Sequence, residues 1–241
     1  MSFMFKRFSI LLAALLTAMS FSVHAQDADE ARVKQAVQAK FPKVVVESVT
    51  RLPFGGLFEV VMGSEVMYSD AKAEFLMGGT LYDIRTANLR NVTQETTQKI
   101  AAKLITSAHD AAIKMVRGNG KRVLYTFEDP NCGYCRELYK ELGKMTDVTV
   151  YTYLLPVLSP DSTEKSRAIW CAKDRVKAWD QVMLKGALAE ASKPCEAPLA
   201  KVTEISQRLG IRGTPAIFMA NGQQLGGFIP AAQIESALAR K

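Results

Sequence analysis

Two cysteines separated by two residues, Cys132 and Cys135, are the residues of this chain whose types and spacing most directly suggest chemistry. They follow an apolar run over residues 123–127 and a Pro-Asn turn, and they precede a segment with helical character over 136–144. The pair is therefore expected where a buried strand gives way to a helix. A Cys-x-x-Cys pair in that position is typical of a dithiol/disulfide redox centre.

A helix N-terminus suits this chemistry because its unpaired backbone N–H groups favour the thiolate, which is the form that attacks a disulfide. We expect Cys132 to be the exposed nucleophile in the first turn, with Asn131 as a candidate N-cap. Cys135, on the same helix face, is expected to be the more buried thiol that resolves a mixed disulfide. Gly133 and Tyr134, between the cysteines, are expected to tune the redox potential.

Two other interpretations of the pair stay open, which are inert packing in a core and half of a structural zinc site. A zinc site would need a second close pair of ligands. Cys171 and Cys195 are far apart in the sequence, and so are the two histidines, His24 and His109. The sequence therefore favours redox chemistry, and we expect neither a metal nor another cofactor.

The first 25 residues differ in composition from the rest of the chain. Two basic residues precede an uncharged apolar run over 8–23, and a small-x-small sequence ends at Ala25. A membrane anchor is the alternative, but the run is shorter than the ~20 residues of a typical span and no basic cluster follows it. We expect a signal peptide that is cleaved after Ala25, with Gln26 as the first residue of an exported mature chain.

Export changes the expectations for charge and for the other cysteines. Removal of the signal peptide lowers the formal charge from +7 to +5, and the basic residues are scattered among acidic ones, so no nucleic-acid surface is predicted. An oxidising compartment allows a structural disulfide, which we expect between Cys171 and Cys195. Closing a loop of about 24 residues would stabilise the fold by about 3 kcal/mol. The alternative is that either cysteine is a second functional thiol.

Residues 26–90 are expected to form a small N-terminal domain. A helical pattern over 27–41 precedes short apolar runs over 44–82 that glycine-containing turns separate. A domain of about 60 residues is marginally stable alone, and a small sheet leaves its edges unpaired. We therefore predict a homodimer through this region, and a lid packed on its own chain is the alternative.

A long helical pattern from Val92 to Val116 predicts a linker helix within 91–118, which carries His109 at the surface. The catalytic domain is expected over 119–241, as a strand, the Cys-x-x-Cys helix, a strand, a helical stretch from Pro160, a hairpin and a final helix. The predicted fold class is thus α+β in the N-terminal domain and α/β in the C-terminal domain.

The Cys-Gly-Tyr-Cys motif after a strand, with Gly213-Thr214-Pro215-Ala216 before another, resembles the thioredoxin superfamily and specifically the DsbC/DsbG family of periplasmic disulfide isomerases. The resemblance covers nearly the whole mature chain and includes the segment 168–174 around Cys171. It implies a dimerisation domain, a linker helix and a thioredoxin-like domain with a helical insertion. It also implies a V-shaped homodimer in the periplasm that a membrane reductant of the DsbD type keeps reduced.

The resemblance has further implications for single residues. It implies that Pro215 is cis beside the active-site cysteines, and that Thr214 offers backbone hydrogen bonds to a bound peptide. Thioredoxin buries an acid six residues before its first cysteine, but Thr126 occupies that position here. Glu128 and Asp129 are expected to be exposed near the turn, so the sequence assigns no buried proton acceptor.

The function predicted is a thiol-disulfide isomerase and reductase that rearranges non-native disulfides in exported proteins, with chaperone-like substrate binding. Gly133 stands where the DsbG branch has Pro, which favours the isomerase branch. The alternatives are a DsbG-like exchange protein, a monomeric disulfide oxidase, and a non-enzymatic periplasmic chaperone with structural cysteines. A cysteine hydrolase would need His109 as its base, and the position of His109 on the linker helix disfavours that.

Overall fold

A computed structural model describes residues 27–85, 87–186 and 195–240. The chain forms two compact units that divide between Thr93 and Gln94. The predicted signal peptide, with its cleavage site at Ala25, lies outside the described residues. Within the described ranges, no helix is long and apolar enough to cross a membrane.

The N-terminal unit packs one helix on an antiparallel sheet. Helix α1 spans residues 27–40 and buries Val33 and Val37, which recur every fourth residue as one helix face requires. The four strands lie in chain order across the sheet: β1 (Val46–Arg51), β2 (Phe58–Met62), β3 (Glu65–Ser69) and β4 (Leu76–Gly78). Phe58 and Val60 on the central strand β2 pack with the α1 valines. The predicted helix and antiparallel sheet are confirmed.

The predicted long helix is shorter than its sequence pattern suggests. A two-stranded ribbon, β5 (Tyr82–Asp83) and β6 (Arg90–Asn91), leads directly into α2 (Val92–Thr106). A 3-10 turn (His109–Ala111) and strand β7 (Ile113–Arg117) follow, so the expectation of a helix to Val116 is wrong. The alternating burial of β7, with Ile113 buried and Lys114 exposed, fits a strand, and its pairing with another strand overrides the helical spacing.

The C-terminal unit is built on a five-stranded mixed sheet. Its remaining strands are β8 (Arg122–Glu128), β9 (Val148–Leu154), β10 (Ala216–Met219) and β11 (Gln224–Gly226), and the order across the sheet is β11-β10-β8-β9-β7. Only the β8–β9 pair is parallel. The helices of this unit after α2 are α3 (Gly133–Gly143), α4 (Pro160–Cys171), α5 (Arg175–Lys185), α6 (Leu199–Arg208) and α7 (Ala231–Ala239).

The central strand β8 divides its side chains between the two faces of the sheet. Tyr125 and Phe127 pack with α2 and α6 on one face. Leu124 packs with α3 and α7 on the other. Because strand side chains alternate, Thr126 and Glu128 point to the same face as Leu124, toward α3. This alternation brings polar side chains to the layer that holds the cysteine pair.

Helix α2 packs closely on the C-terminal unit beyond residue 94. Ala101 and Ile105 lie in the same core as Phe127. Gly222, in the β10–β11 hairpin, has a φ of +82°, and a Cβ added there would lie 1.9 Å from the carbonyl oxygen of Gln98. Glycine is required at this turn because both its backbone conformation and its contact with α2 exclude a side chain.

Candidate active site

Cys132 caps the helix that carries Cys135. A short turn follows the end of β8 and leads to Cys132, whose backbone is extended, with φ −74° and ψ 120°. Its Sγ accepts the backbone N–H of Cys135 at 3.2 Å. The N-cap of α3 is therefore Cys132, and the assignment of Asn131 to that role is wrong. The sulfur lies at the positive end of the helix, where negative charge is stabilised.

Both cysteines of the pair are free thiols and both are buried. Cys132 is 5% exposed and Cys135 is 0% exposed. The expectation of an exposed Cys132 is therefore wrong in degree, although Cys132 is the more accessible of the two. The segment that carries Thr214 lies against Cys132, whose thiol donates to the Thr214 carbonyl oxygen at 3.3 Å. The Thr214–Pro215 peptide bond is cis, as the resemblance implied.

An aromatic pair lies at the open side of the cysteine motif. Tyr134 is 68% exposed, and its ring centroid lies 6.1 Å from that of Phe228, which is 38% exposed. A Cβ added at the neighbouring Gly227 would lie 3.4 Å from the Pro215 carbonyl oxygen, so the Phe228 loop runs beside the cis-proline. The sequence analysis missed Phe228, and its only available signal was an aromatic residue after two glycines in a loop.

Asp129 and Asn131 fix the turn that precedes Cys132. Asp129 is fully buried, and its carboxylate accepts backbone N–H groups of Asn131, Val157 and Leu158 at 2.8, 2.8 and 3.0 Å. The expectation that Asp129 is exposed is wrong. The amide of Asn131 bonds to side chains at the start of α4, and Lys165 donates to its Oδ1 at 2.7 Å. These contacts hold the turn to the loop after β9 and to α4.

Glu128 is also fully buried, which corrects the expectation that it is exposed. Its Oε1 accepts the hydroxyl of Thr126 at 2.7 Å, and that hydroxyl also lies 3.1 Å from the Thr152 hydroxyl. Burial raises the pKa of Glu128 to about 7, while the hydroxyls of Thr126 and Thr152 act to lower it. The period-two alternation of β8 is the sequence signal that could have identified it.

Cys135 is the thiol on which the buried carboxyl acts. Burial raises the pKa of Cys135, and the nearby charge of Glu128 raises it further, because both disfavour the thiolate. Cys135 packs among Ile113, Leu154 and Trp179, between the sheet and the helices. Cys132 is thus the more accessible thiol of the pair, and the surroundings of Cys135 favour its protonated form.

A disulfide joins Cys171, the last residue of α4, to Cys195, with their Cα atoms 5.6 Å apart. The predicted pairing is therefore present. The segment 187–194 that precedes Cys195 lies outside the described residues. Because both sulfurs are bonded to each other, neither serves as a second free thiol in this state.

His109 does not lie with the cysteine pair. It is exposed, as predicted, and its ring stacks on that of Tyr151 at 4.2 Å, with Nε2 2.8 Å from the hydroxyl of Tyr125. Tyr125 is on the sheet face opposite α3, so no histidine of the described residues can act as a base for Cys132. Among those residues, no cluster of three or more potential metal ligands is present.

Two family models match this chain. The model described as "Disulfide bond isomerase protein N-terminal domain" matches residues 24–94, and the one described as "Thioredoxin-like domain" matches residues 109–241. The first model matches the described N-terminal unit, and the second matches the C-terminal unit from His109 onward, so residues 95–108 lie outside both matches.

Curated relatives and one solved structure are also similar to the chain. A "Probable thiol:disulfide interchange protein DsbC" of Bordetella parapertussis is 40% identical over 218 residues, which are 90% of this chain and 77% of the relative. The "Thiol:disulfide interchange protein DsbC" of Escherichia coli (strain K12) is 30% identical over 95% of this chain and 94% of its own. The crystal structure of a disulfide interchange protein from Neisseria gonorrhoeae superposes with a TM-score of 0.51 at 41% identity, over 54% of this chain and 94% of that chain.

Proposed function

The chain belongs to the DsbC family of thiol:disulfide interchange proteins, and we propose that it rearranges non-native disulfides in exported proteins through Cys132 and Cys135. It is a thiol-disulfide oxidoreductase with a thioredoxin-like domain. The observation that carries the proposal is the position of the Cys132 sulfur. That atom contacts the N–H of Cys135 at the start of α3 on one side and the Thr214 carbonyl on the other.

The proposed reaction begins with the Cys132 thiolate, which attacks one sulfur of a substrate disulfide. The substrate disulfide breaks, a mixed disulfide forms, and the second substrate sulfur leaves as a thiolate. Isomerisation follows when the released substrate thiolate attacks another disulfide of the substrate. A substrate thiolate then attacks the mixed disulfide, forms a new substrate disulfide and releases Cys132 as a thiolate. Alternatively, Cys135 displaces the substrate sulfur from Cys132, which leaves a reduced substrate and an oxidised enzyme.

Thr214, Pro215 and the aromatic pair are the proposed walls for a bound substrate. The Thr214 backbone lies beside Cys132, so an extended peptide at that position could hydrogen-bond to it while its disulfide meets the sulfur. Tyr134 and Phe228 offer apolar surface at the same opening. Such a site selects for extended chain near a disulfide, which misfolded proteins expose.

Trapping tests the proposal directly. In a Cys135→Ala variant the mixed disulfide cannot be resolved by the enzyme, so exported proteins with disulfides should accumulate as adducts that reducing agent releases. The matched control is the Cys132→Ser/Cys135→Ala variant, which should form none. Adducts through Cys171 or Cys195, or an absence of adducts in Cys135→Ala, would contradict the assignment of the catalytic cysteines.

We also propose that the protein is a homodimer through the N-terminal sheet. The edge strand β4 is only three residues long, and Phe75 and Met77 at this edge are 68% and 46% exposed. Pairing of β4 with a second copy of the chain would cover these side chains and give hydrogen-bond partners to the backbone groups on the outer side of β4. Two active sites in one particle would suit isomerisation, because a substrate with several disulfides could engage both.

Native mass measurements on the mature chain test the homodimer. Wild type should be a dimer, and Met77→Glu should be a monomer that still reduces insulin but no longer rescues scrambled ribonuclease. Leu184→Glu places the same charge at an exposed leucine of α5 and should leave the dimer intact. A monomeric wild type would refute the proposed assembly.

The remaining proposals concern location and the source of electrons. The signal peptide predicted over 1–25, with cleavage after Ala25, supports the proposed periplasmic location. In that oxidising compartment Cys132 needs a reductant to stay available as a thiolate, and a membrane protein of the DsbD type is the proposed donor. N-terminal sequencing of the exported protein tests the cleavage site, and the redox state of Cys132 in a strain that lacks such a donor tests the partner.

A further inference from the structure

The resolving thiol has to lose a proton in a place that water does not reach. Only the thiolate form of Cys135 can displace a substrate sulfur from Cys132. Cys135 is 0% exposed, and its apolar neighbours include Leu154 and Trp179. Burial therefore disfavours the thiolate, and the resolving step needs a nearby group that can take the proton.

Glu128 has the geometry of such a group. It is the last residue of the strand β8, it is 0% exposed, and the period of the strand points its side chain toward the helix of Cys135. One carboxyl oxygen accepts the Thr126 hydroxyl at 2.7 Å. The other oxygen, Oε2, is buried and has no hydrogen-bond partner among the described residues. A buried acceptor without a partner is costly, so this oxygen calls for a functional explanation.

We propose that Glu128 accepts the proton of Cys135 when a mixed disulfide is resolved and returns that proton when the enzyme disulfide is reduced. This inference rests on the proposed exchange function and assigns it a proton-transfer residue. Glu128 acts on Cys135 either directly or through one bridging water, and it does not contact the substrate.

The proton of the Cys135 thiol passes to the Glu128 carboxylate, the Cys135 thiolate attacks the Cys132 sulfur, and the bond from Cys132 to the substrate sulfur breaks. The substrate sulfur leaves with the electron pair and takes a proton from water. Over the full cycle the enzyme dithiol loses two electrons and the substrate disulfide gains two. When a dithiol reductant later attacks Cys132, Cys135 leaves as a thiolate and regains its proton from Glu128.

Among the groups near Cys135, Glu128 is the one suited to accept its proton. Thr126 on β8 and Thr152 on β9 present hydroxyls, and Cys135 on α3 presents the thiol. Asp129, the next residue, already accepts three backbone N–H groups with its two oxygens. On α5, burial raises the pKa of Asp180, and the charge of Arg117 offsets part of that rise. A carboxyl whose pKa is raised to about 7 is present in both forms near neutral pH, so it can both accept and donate a proton.

The test separates the attack of Cys132 from the resolution by Cys135. Reduced mature protein is mixed with oxidised glutathione, acid-quenched and analysed by mass spectrometry, which measures formation and decay of the Cys132–glutathione disulfide. Glu128→Gln retains an oxygen for Thr126 but cannot accept the proton. We expect resolution at about pH 8 to be at least roughly tenfold slower, with attack changed by less than about twofold. The wild-type rate of resolution should rise with pH through an inflection near 7 that the variant lacks.

Asp180→Asn removes another carboxylate whose pKa burial raises, and it should keep the wild-type pH profile. Equal resolution rates in wild type and Glu128→Gln would overturn the proposal, and so would equal slowing of attack and resolution. A wild type that forms no mixed disulfide would overturn the exchange function itself. Independently of any variant, carbon NMR of glutamate-labelled wild type should show one carboxyl titrating near 7, and its absence would also overturn the proposal.

Discussion

Replacement of Glu128 by Gln should change how the stability of the reduced protein depends on pH. Burial raises the pKa of this carboxyl from its ordinary value of 4.5 to about 7 in the folded state. The unfolded chain exposes the carboxyl, which then titrates near its ordinary value. Between these two pKa values the folded protein holds a proton that the unfolded chain has lost. The unfolding free energy is therefore highest below the lower pKa and falls as the pH rises to the higher one.

The size of the effect follows from the two pKa values. Each unit of pKa difference corresponds to about 1.36 kcal/mol. The difference between 4.5 and about 7 thus lowers the unfolding free energy of wild type by roughly 3 kcal/mol from acid to mildly alkaline pH. Gln is uncharged in both the folded and the unfolded state, so it adds no pH dependence to the unfolding free energy over this range. The unfolding free energy of Glu128→Gln minus that of wild type should therefore increase by about 3 kcal/mol between about pH 4 and about pH 8.

Urea unfolding of both proteins, followed by circular dichroism in the presence of a reductant, measures this difference at each pH. All other titrating groups are shared, so they cancel in the comparison. Glu137→Gln is the matched control, because Glu137 is half-exposed on α3 and pairs only with Lys140 among the contacts that the structure describes. The difference in unfolding free energy between Glu137→Gln and wild type should vary by no more than about 0.5 kcal/mol over the same pH range. A flat difference for Glu128→Gln would refute the claim that this carboxyl is buried with a raised pKa.

The disulfide and the aromatic pair of the C-terminal unit can each be tested by substitution. Replacing both Cys171 and Cys195 by Ala should lower the unfolding free energy by about 3 kcal/mol, because the unfolded chain gains the entropy of an open loop, and an unchanged melting temperature would contradict a structural disulfide. Phe228→Ala removes one ring of the aromatic pair at the opening and should raise the KM for a disulfide-containing peptide about threefold to tenfold. Its exchange rate with glutathione should not change, and equal losses for peptide and glutathione would show that Phe228 supports the fold instead.

Local chemistry in the sequence predicted much of the fold and of the site. Ser159 caps α4 and Pro160 opens it, because the N-cap hydroxyl and the missing proline N–H both suit a helix start. The predicted hairpin is also present, and Asn221 and Gly222, residue types that favour such a turn, lie between β10 and β11. The pairing of Cys171 with Cys195 and the placement of Cys132 at the start of a helix also followed from residue types and spacing.

The errors came from contacts between distant segments. The apolar spacing after Thr106 fits a helix as well as a strand, and only the pairing of β7 with β9 selects the strand. Asn131 is a good N-cap by type, but its side chain bonds to α4, and the Cys132 sulfur takes the cap. In both cases the local pattern fits more than one structure, and a contact with a distant segment accounts for the one that forms.

A dithiol at a strand-to-helix junction is predictable from the amino-acid sequence, because strand, turn and helix signals and the cysteine spacing are all local. The surroundings of that dithiol depend instead on the packing of distant segments. The cis-proline loop, far along the chain, covers Cys132, and the layer between β8 and α3 buries Glu128 with Cys135. Burial depends on what packs above a residue, so the charge state of Glu128 and the availability of each thiol are properties of the fold.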